Sequence, residues 1–141
     1  MSADLEVTKG LVLLGRELSF TAVRAGGPGG QNVNKVSTKV ELRFDIERNT
    51  TLGPAVKARV RAQNPTRFDA EGRVLVVVDD TRSQGMNLEL ARERLAELLR
   101  RALVAPKRRR PTKPSFGSRQ ARLADKRKRS ETKRGRGGRW E

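Results

Sequence analysis

The sequence predicts an α+β domain, a small mixed sheet packed with two helices, followed by a basic C-terminal tail. Three observations point there. Residues 39–46 alternate strictly between polar and apolar, the period of a strand with one buried face. Leu88, Ala91, Leu95, Leu98, Leu99 and Ala102 recur at steps of three and four, the single apolar stripe of an amphipathic helix. The charge is also partitioned. Residues 1–106 hold 17 Lys/Arg against 13 Asp/Glu, a balance of +4, whereas residues 107–141 hold 15 against 3, a balance of +12.

The elements follow in chain order. Residues 11–14 and 18–23 are short apolar runs that predict two strands joined by a turn at Gly15-Arg16. Residues 24–31, Arg-Ala-Gly-Gly-Pro-Gly-Gly-Gln, predict an irregular loop, because four Gly and one Pro in five positions have too much backbone freedom and too few side chains to pack. In the following strand, Val40, Leu42, Phe44 and Ile46 share one face, and Lys39, Glu41, Arg43 and Asp45 the other. Pro54 fits the first turn of a helix that runs to about Gln63 and ends at Asn64-Pro65. Val74 to Val78 is a short, β-branched, wholly apolar run, the pattern of a central strand. The striped helix covers about Asn87 to Leu103. The domain is expected over 1–104.

Pro106, Pro111 and Pro114, mixed with Lys107, Arg108, Arg109 and Arg110, exclude a helix and predict an extended basic linker over 105–117. The tail, 118–141, has helix-compatible composition but strong self-repulsion, and is expected to be disordered when free. Its charge seeks phosphate or anionic lipid. Leu123 is its only aliphatic residue larger than Ala in the charged stretch, too little apolar surface for a membrane helix, so nucleic acid is the better partner. Arg119, Arg122, Lys126, Arg129, Lys133 and Arg136 step by three and four, as one basic stripe of a helix would.

Composition narrows the chemistry. The chain has no Cys and no His, which removes thiolate nucleophiles, Cys-bound metals, and the commonest general base and metal ligand. No apolar run is long enough to span a bilayer, and the N-terminal residues lack a basic-then-apolar signal pattern, so a cytoplasmic protein is expected. Asp79-Asp80 could pose as an acid/base pair, but adjacent residues at a strand end point to opposite faces. The glycine loop does not fit phosphate binding. Dinucleotide loops and P-loops lead straight into a helix, whereas this one leads through Val33-Asn34-Lys35 to a strand, without Gly-Lys-Ser/Thr. From the residues alone, a Gly-rich turn between strands remains open.

The segment Arg24-Ala25-Gly26-Gly27-Pro28-Gly29-Gly30-Gln31-Asn32-Val33-Asn34-Lys35 resembles the Gly-Gly-Gln loop of class I peptide-release factors and their single-domain relatives. Residues 36–44 look like the strand after that loop. Thr81-Arg82-Ser83-Gln84 followed by Asn87 looks like the second family signature, ahead of the last helix. The tail is similar to that of the alternative ribosome-rescue factor B (YaeJ-type) family at Arg122-Leu123, Lys126, Ser130, Lys133 and Arg136, and Pro111-Thr112 also fits. One position departs: several relatives carry His where this chain has Asn32.

This resemblance implies a release-factor Gly-Gly-Gln domain that enters the peptidyl-transferase centre of a stalled ribosome and hydrolyses the ester of P-site peptidyl-tRNA. It implies a tail that becomes a helix in the empty mRNA entrance channel, against ribosomal RNA. Gly29, Gly30 and Gln31 would be catalytic, and Arg24, Gly26, Gly27, Pro28, Asn34 and Lys35 would support the loop. Arg119, Arg122, Leu123, Lys126, Arg129, Ser130, Lys133 and Arg136 would bind the ribosome. Neither metal nor cofactor is implied, and a monomer is expected. Ester hydrolysis needs a placed water and donors aimed at the developing oxyanion. Glycines clear the approach and reach φ > 0, so backbone N–H groups can serve where His and Cys are missing. By analogy with the family, the Gln31 N–H donates to the oxyanion while its side chain admits only water; one such donor is worth about 3–4 kcal/mol. The competing expectation is a non-enzymatic ribosome- or RNA-binding accessory protein, from which loss of activity at Gln31 separates the hydrolase.

Overall fold

The computed structural model describes residues 2–24, 26 and 37–137. Among the described residues, two small sheets and three helices form, and the α+β class holds. Strands β1 (Leu5–Thr8) and β2 (Leu11–Leu13) form an antiparallel hairpin. Its turn carries Gly10 at φ 91°, a backbone state that L side chains rarely adopt. Strands β3 (Leu18–Val23), β4 (Lys39–Phe44) and β5 (Val74–Val78) form a second sheet in the order β3-β4-β5. Both of its pairings are antiparallel, so the described strands make no mixed sheet.

The alternation in β4 is realised: Val40, Leu42 and Phe44 are buried, while Lys39, Glu41 and Arg43 lie on the opposite face. Helix α1 (Pro54–Gln63) opens with Pro at its first turn, as its sequence requires. Helix α2 (Gln84–Leu103) lays Ala91, Leu95, Leu98, Leu99 and Ala102 into the core against β1, β4 and β5. Long-range bonds from arginine side chains tie the layers. On α2, Arg92 donates to Ala3 O at 2.9 Å and to Asp4 O at 2.6 Å, and Arg100 to Val7 O at 2.7 Å. Arg59 of α1 donates to Ala102 O at 2.6 Å, satisfying an otherwise unpaired carbonyl at the end of α2.

Several expectations change. The turn at Gly15-Arg16 is one 3₁₀ turn (Gly15–Glu17), and the strands it joins belong to different sheets. The N-terminal segment packs against Gly15, where an added Cβ would stand 1.8 Å from Ser2 O, and this seats β1, a strand with too few apolar residues to be read from sequence. Strand β5 lies at an outer position, not a central one. Its apolar run persists because Val74, Val76 and Val78 face the core while Leu75 and Val77 stand opposite Arg43 and Glu41, whose aliphatic stems border them. Helix α2 starts three residues earlier than expected, since the Ser83 hydroxyl accepts from Met86 N and caps it.

The chain divides into two compact units, Met1–Pro106 and Lys107–Glu141. Residues 104–115 have no regular secondary structure. Where the sequence predicts a tail disordered when free, Phe116–Gly137 forms a continuous helix, α3, with no buried residue. It begins two residues inside the expected linker because Ser115 caps it, accepting from Ser118 N through its hydroxyl and from Arg119 N through its carbonyl. Its Arg, Lys and Ala content gives it the local propensity that tertiary packing supplies elsewhere.

Candidate functional site

The β3–β4 ladder runs in unbroken register from Leu18↔Phe44 to Val23↔Lys39. Residues 24–38 therefore form one connection whose ends are held side by side, about 5 Å apart. Hairpin loops usually have two to five residues, and connections as long as this one generally carry function. Arg24 and Gly26, at the near end, are exposed. Gly27, Pro28, Gly29, Gly30, Gln31, Asn34 and Lys35, all named by the sequence, lie outside the described residues.

The far end of the loop is fixed by a residue whose role the sequence reading did not recognise. Asn87 of α2 has 0% of its surface exposed. Its Oδ1 accepts from Thr81 N at 3.0 Å and from Thr81 Oγ1 at 2.8 Å. Its Nδ2 donates to Thr81 O at 2.9 Å and, 49 residues away in sequence, to Thr38 O at 2.7 Å. The orientation of the carboxamide is determined, because flipping it would set an NH₂ group against a backbone N–H and an oxygen against two carbonyls. Thr81 and Ser83 add a bond of their own, the Ser83 N–H donating to the Thr81 hydroxyl oxygen at 3.2 Å. The signature Thr81-Arg82-Ser83-Gln84…Asn87 is thus one structural device joining the loop exit to a helix start. The available signal was an Asn at the head of an otherwise apolar stripe, four residues before Ala91.

Exposed Arg24 and Arg82 and half-buried Lys39 all belong to segments that meet at this root. Asp80 is paired with Arg94 at the surface. Among the described residues, no group of three or more metal-ligating side chains comes together.

The second basic feature is α3. Arg119, Arg122, Leu123, Lys126, Arg129, Ser130, Lys133 and Arg136 are all exposed. At 100° per residue, the six cations fall within an arc of about 100°. No described helix is long and apolar enough to cross a membrane.

A long loop rooted on an antiparallel pair, beside a capped helix and ahead of a basic helix, defines a release-factor type of domain. Residues 7–137 match the RF-1 domain family, and the chain belongs to it. Within that family it is of the ArfB type. The protein named peptidyl-tRNA hydrolase ArfB from Pseudomonas putida is 42% identical over 133 residues, covering 94% of this chain and 96% of that one. The large ribosomal subunit protein mL62 of Mus musculus is 29% identical over 90 residues, 64% of this chain and 44% of its own length.

Proposed function

We propose that this chain rescues stalled ribosomes by hydrolysing the ester of P-site peptidyl-tRNA, without reading a codon. The observation that carries this reading is the fifteen-residue Gly-Gly-Gln connection closed on Val23↔Lys39, in a chain alike along almost its whole length to a peptidyl-tRNA hydrolase.

A rigid sheet edge and a buried anchor suit such a loop, because catalytic groups must be held to within about 0.5 Å to be productive. In the peptidyl-transferase centre, Gly29 and Gly30 let the backbone approach the ester. The Gln31 N–H donates to the tetrahedral oxyanion, and its side chain leaves space for water alone. Water attacks the carbonyl carbon, the ester bond to the ribose oxygen breaks, and that oxygen takes a proton. The chain acts as a monomer in the cytoplasm, with ribosomal RNA and tRNA lining the remainder of the site, and requires neither metal nor cofactor. Helix α3 occupies the mRNA entrance channel only when message is absent, and so senses the stall.

The test is release of labelled peptide from ribosomes on an mRNA truncated at the P site. The wild-type chain should release it, and Gln31→Pro, which has no backbone N–H to donate, should lose about a hundredfold or more. No release by either protein, with ribosome binding intact, would favour the non-enzymatic accessory role.

A further inference from the structure

Asn87 takes no part in the loop chemistry, yet it occupies a place where an apolar residue would extend the stripe of α2. A buried carboxamide is costly unless its hydrogen bonds are satisfied, and here all four are. Such a group contributes direction, which leucine cannot. Three segments meet on it: the loop exit at Thr38, the turn 81–83, and the first turn of α2. The last β3–β4 register pair is Val23↔Lys39, so Thr38 lies just beyond the ladder.

We propose that Asn87 is a positioning residue for the hydrolysis, holding the exit of the Gly-Gly-Gln connection at Thr38. This rests on the hydrolase reading above. Thr81 is its partner, since its N–H, hydroxyl and carbonyl hold three of the four bonds of the carboxamide. With Thr81 in place, the fourth bond can point only at Thr38 O. If that bond is lost, the fold survives through its core while the loop exit wanders. A shift of about 1 Å in a reacting group costs on the order of a hundredfold in rate.

The experiment compares full-length wild type, Asn87→Asp, Thr81→Val, Gln31→Pro and Val60→Ala on ribosomes with truncated mRNA. It reads the release rate at saturating protein, the half-saturating concentration and the melting temperature. Asn87→Asp removes the donor facing two carbonyls. Its saturated rate should fall by about ten- to a hundredfold, with the half-saturating concentration changed by less than about twofold. Thr81→Val should show the same split to a smaller degree. Val60→Ala, which opens the fully buried core under α1, should lower the melting temperature yet release at the wild-type rate. A wild-type rate in Asn87→Asp overturns the proposal, as does an equal rate loss in Val60→Ala at matched destabilisation. If Asn87→Asp does not fold, a wild-type rate in Thr81→Val overturns it. If wild type itself matches Gln31→Pro, the hydrolase reading has failed, and the proposal with it.

Discussion

Removing one charge from the stripe of α3 should change the salt dependence of ribosome binding, while removing one from the far side should not. Arg129 lies within the stripe, whereas Lys128 projects about 130° from its centre, at 100° per residue. Both are exposed, and Gln replaces either at little cost in helix propensity. If the six stripe cations each neutralise one phosphate, log affinity falls by about 4–5 per log unit of salt, at 0.7–0.9 per contact. Between 50 and 200 mM salt, affinity then drops by about three orders of magnitude. Arg129→Gln should reduce that slope by about 0.7–0.9, and Lys128→Gln should leave it unchanged. The assay is equilibrium binding of labelled protein to stalled ribosomes across that salt range. Equal slope losses in the two variants would refute a directional stripe and leave only a polycation.

Gly15→Ala should destabilise the first unit, because its Cβ meets backbone at Ser2 and no side-chain rotation relieves the contact. Shifting residues 2–4 weakens the Gly15 N–H bond to Asp4 Oδ1 at 2.7 Å and the two Arg92 bonds. The loss should be about 2 kcal/mol, or about 8–16 °C in a thermal melt; an unchanged melt would show that the N-terminal segment is not seated there. Asp69 offers a pH test. Burial pushes its carboxyl up, but the Arg73 N–H and guanidinium and the Glu71 N–H outweigh this and hold it below the ordinary range. Its contribution is therefore complete above the ordinary carboxylate value of about 3.9 and lost as pH falls through the lower folded value. The melting difference between wild type and Asp69→Asn should be present at neutral pH and shrink below about pH 4; a difference that does not vary with pH would refute it.

Patterns that repeat along a few residues were legible. The alternation at Lys39–Phe44 gave β4 and its buried face, and the three-and-four steps gave the buried side of α2, because burial of one face imposes the period of the element itself. Pro54 and Asn64-Pro65 marked both ends of α1. The glycine-rich composition of residues 24–31 and the resemblance it carries drew attention to the connection between β3 and β4. What failed was the choice of partners. Two apolar runs flanking Gly15 look like a hairpin, but the first pairs with β1 and the second with β4, and residues 2–4 pack on the Gly15 between them. The run Val74–Val78 looks central because an outer strand beside the stems of Glu41 and Arg43 can stay apolar on both faces.

The sequence by itself determined the classes of element, the separation of a nearly neutral domain from a polycationic tail, and the glycine-rich segment between two strands. Each of these rests on composition or on spacings shorter than a helix turn or two. The tertiary structure decided which strands pair, where the loop is rooted, and that Asn87 is a buried anchor and not a helix boundary. Those outcomes depend on contacts between residues far apart in the chain, 49 residues from Asn87 to Thr38 and 93 from Arg100 to Val7. No local period encodes such a contact. It exists only once packing has brought the two carbonyls within reach of side chains that leave no other way to satisfy them.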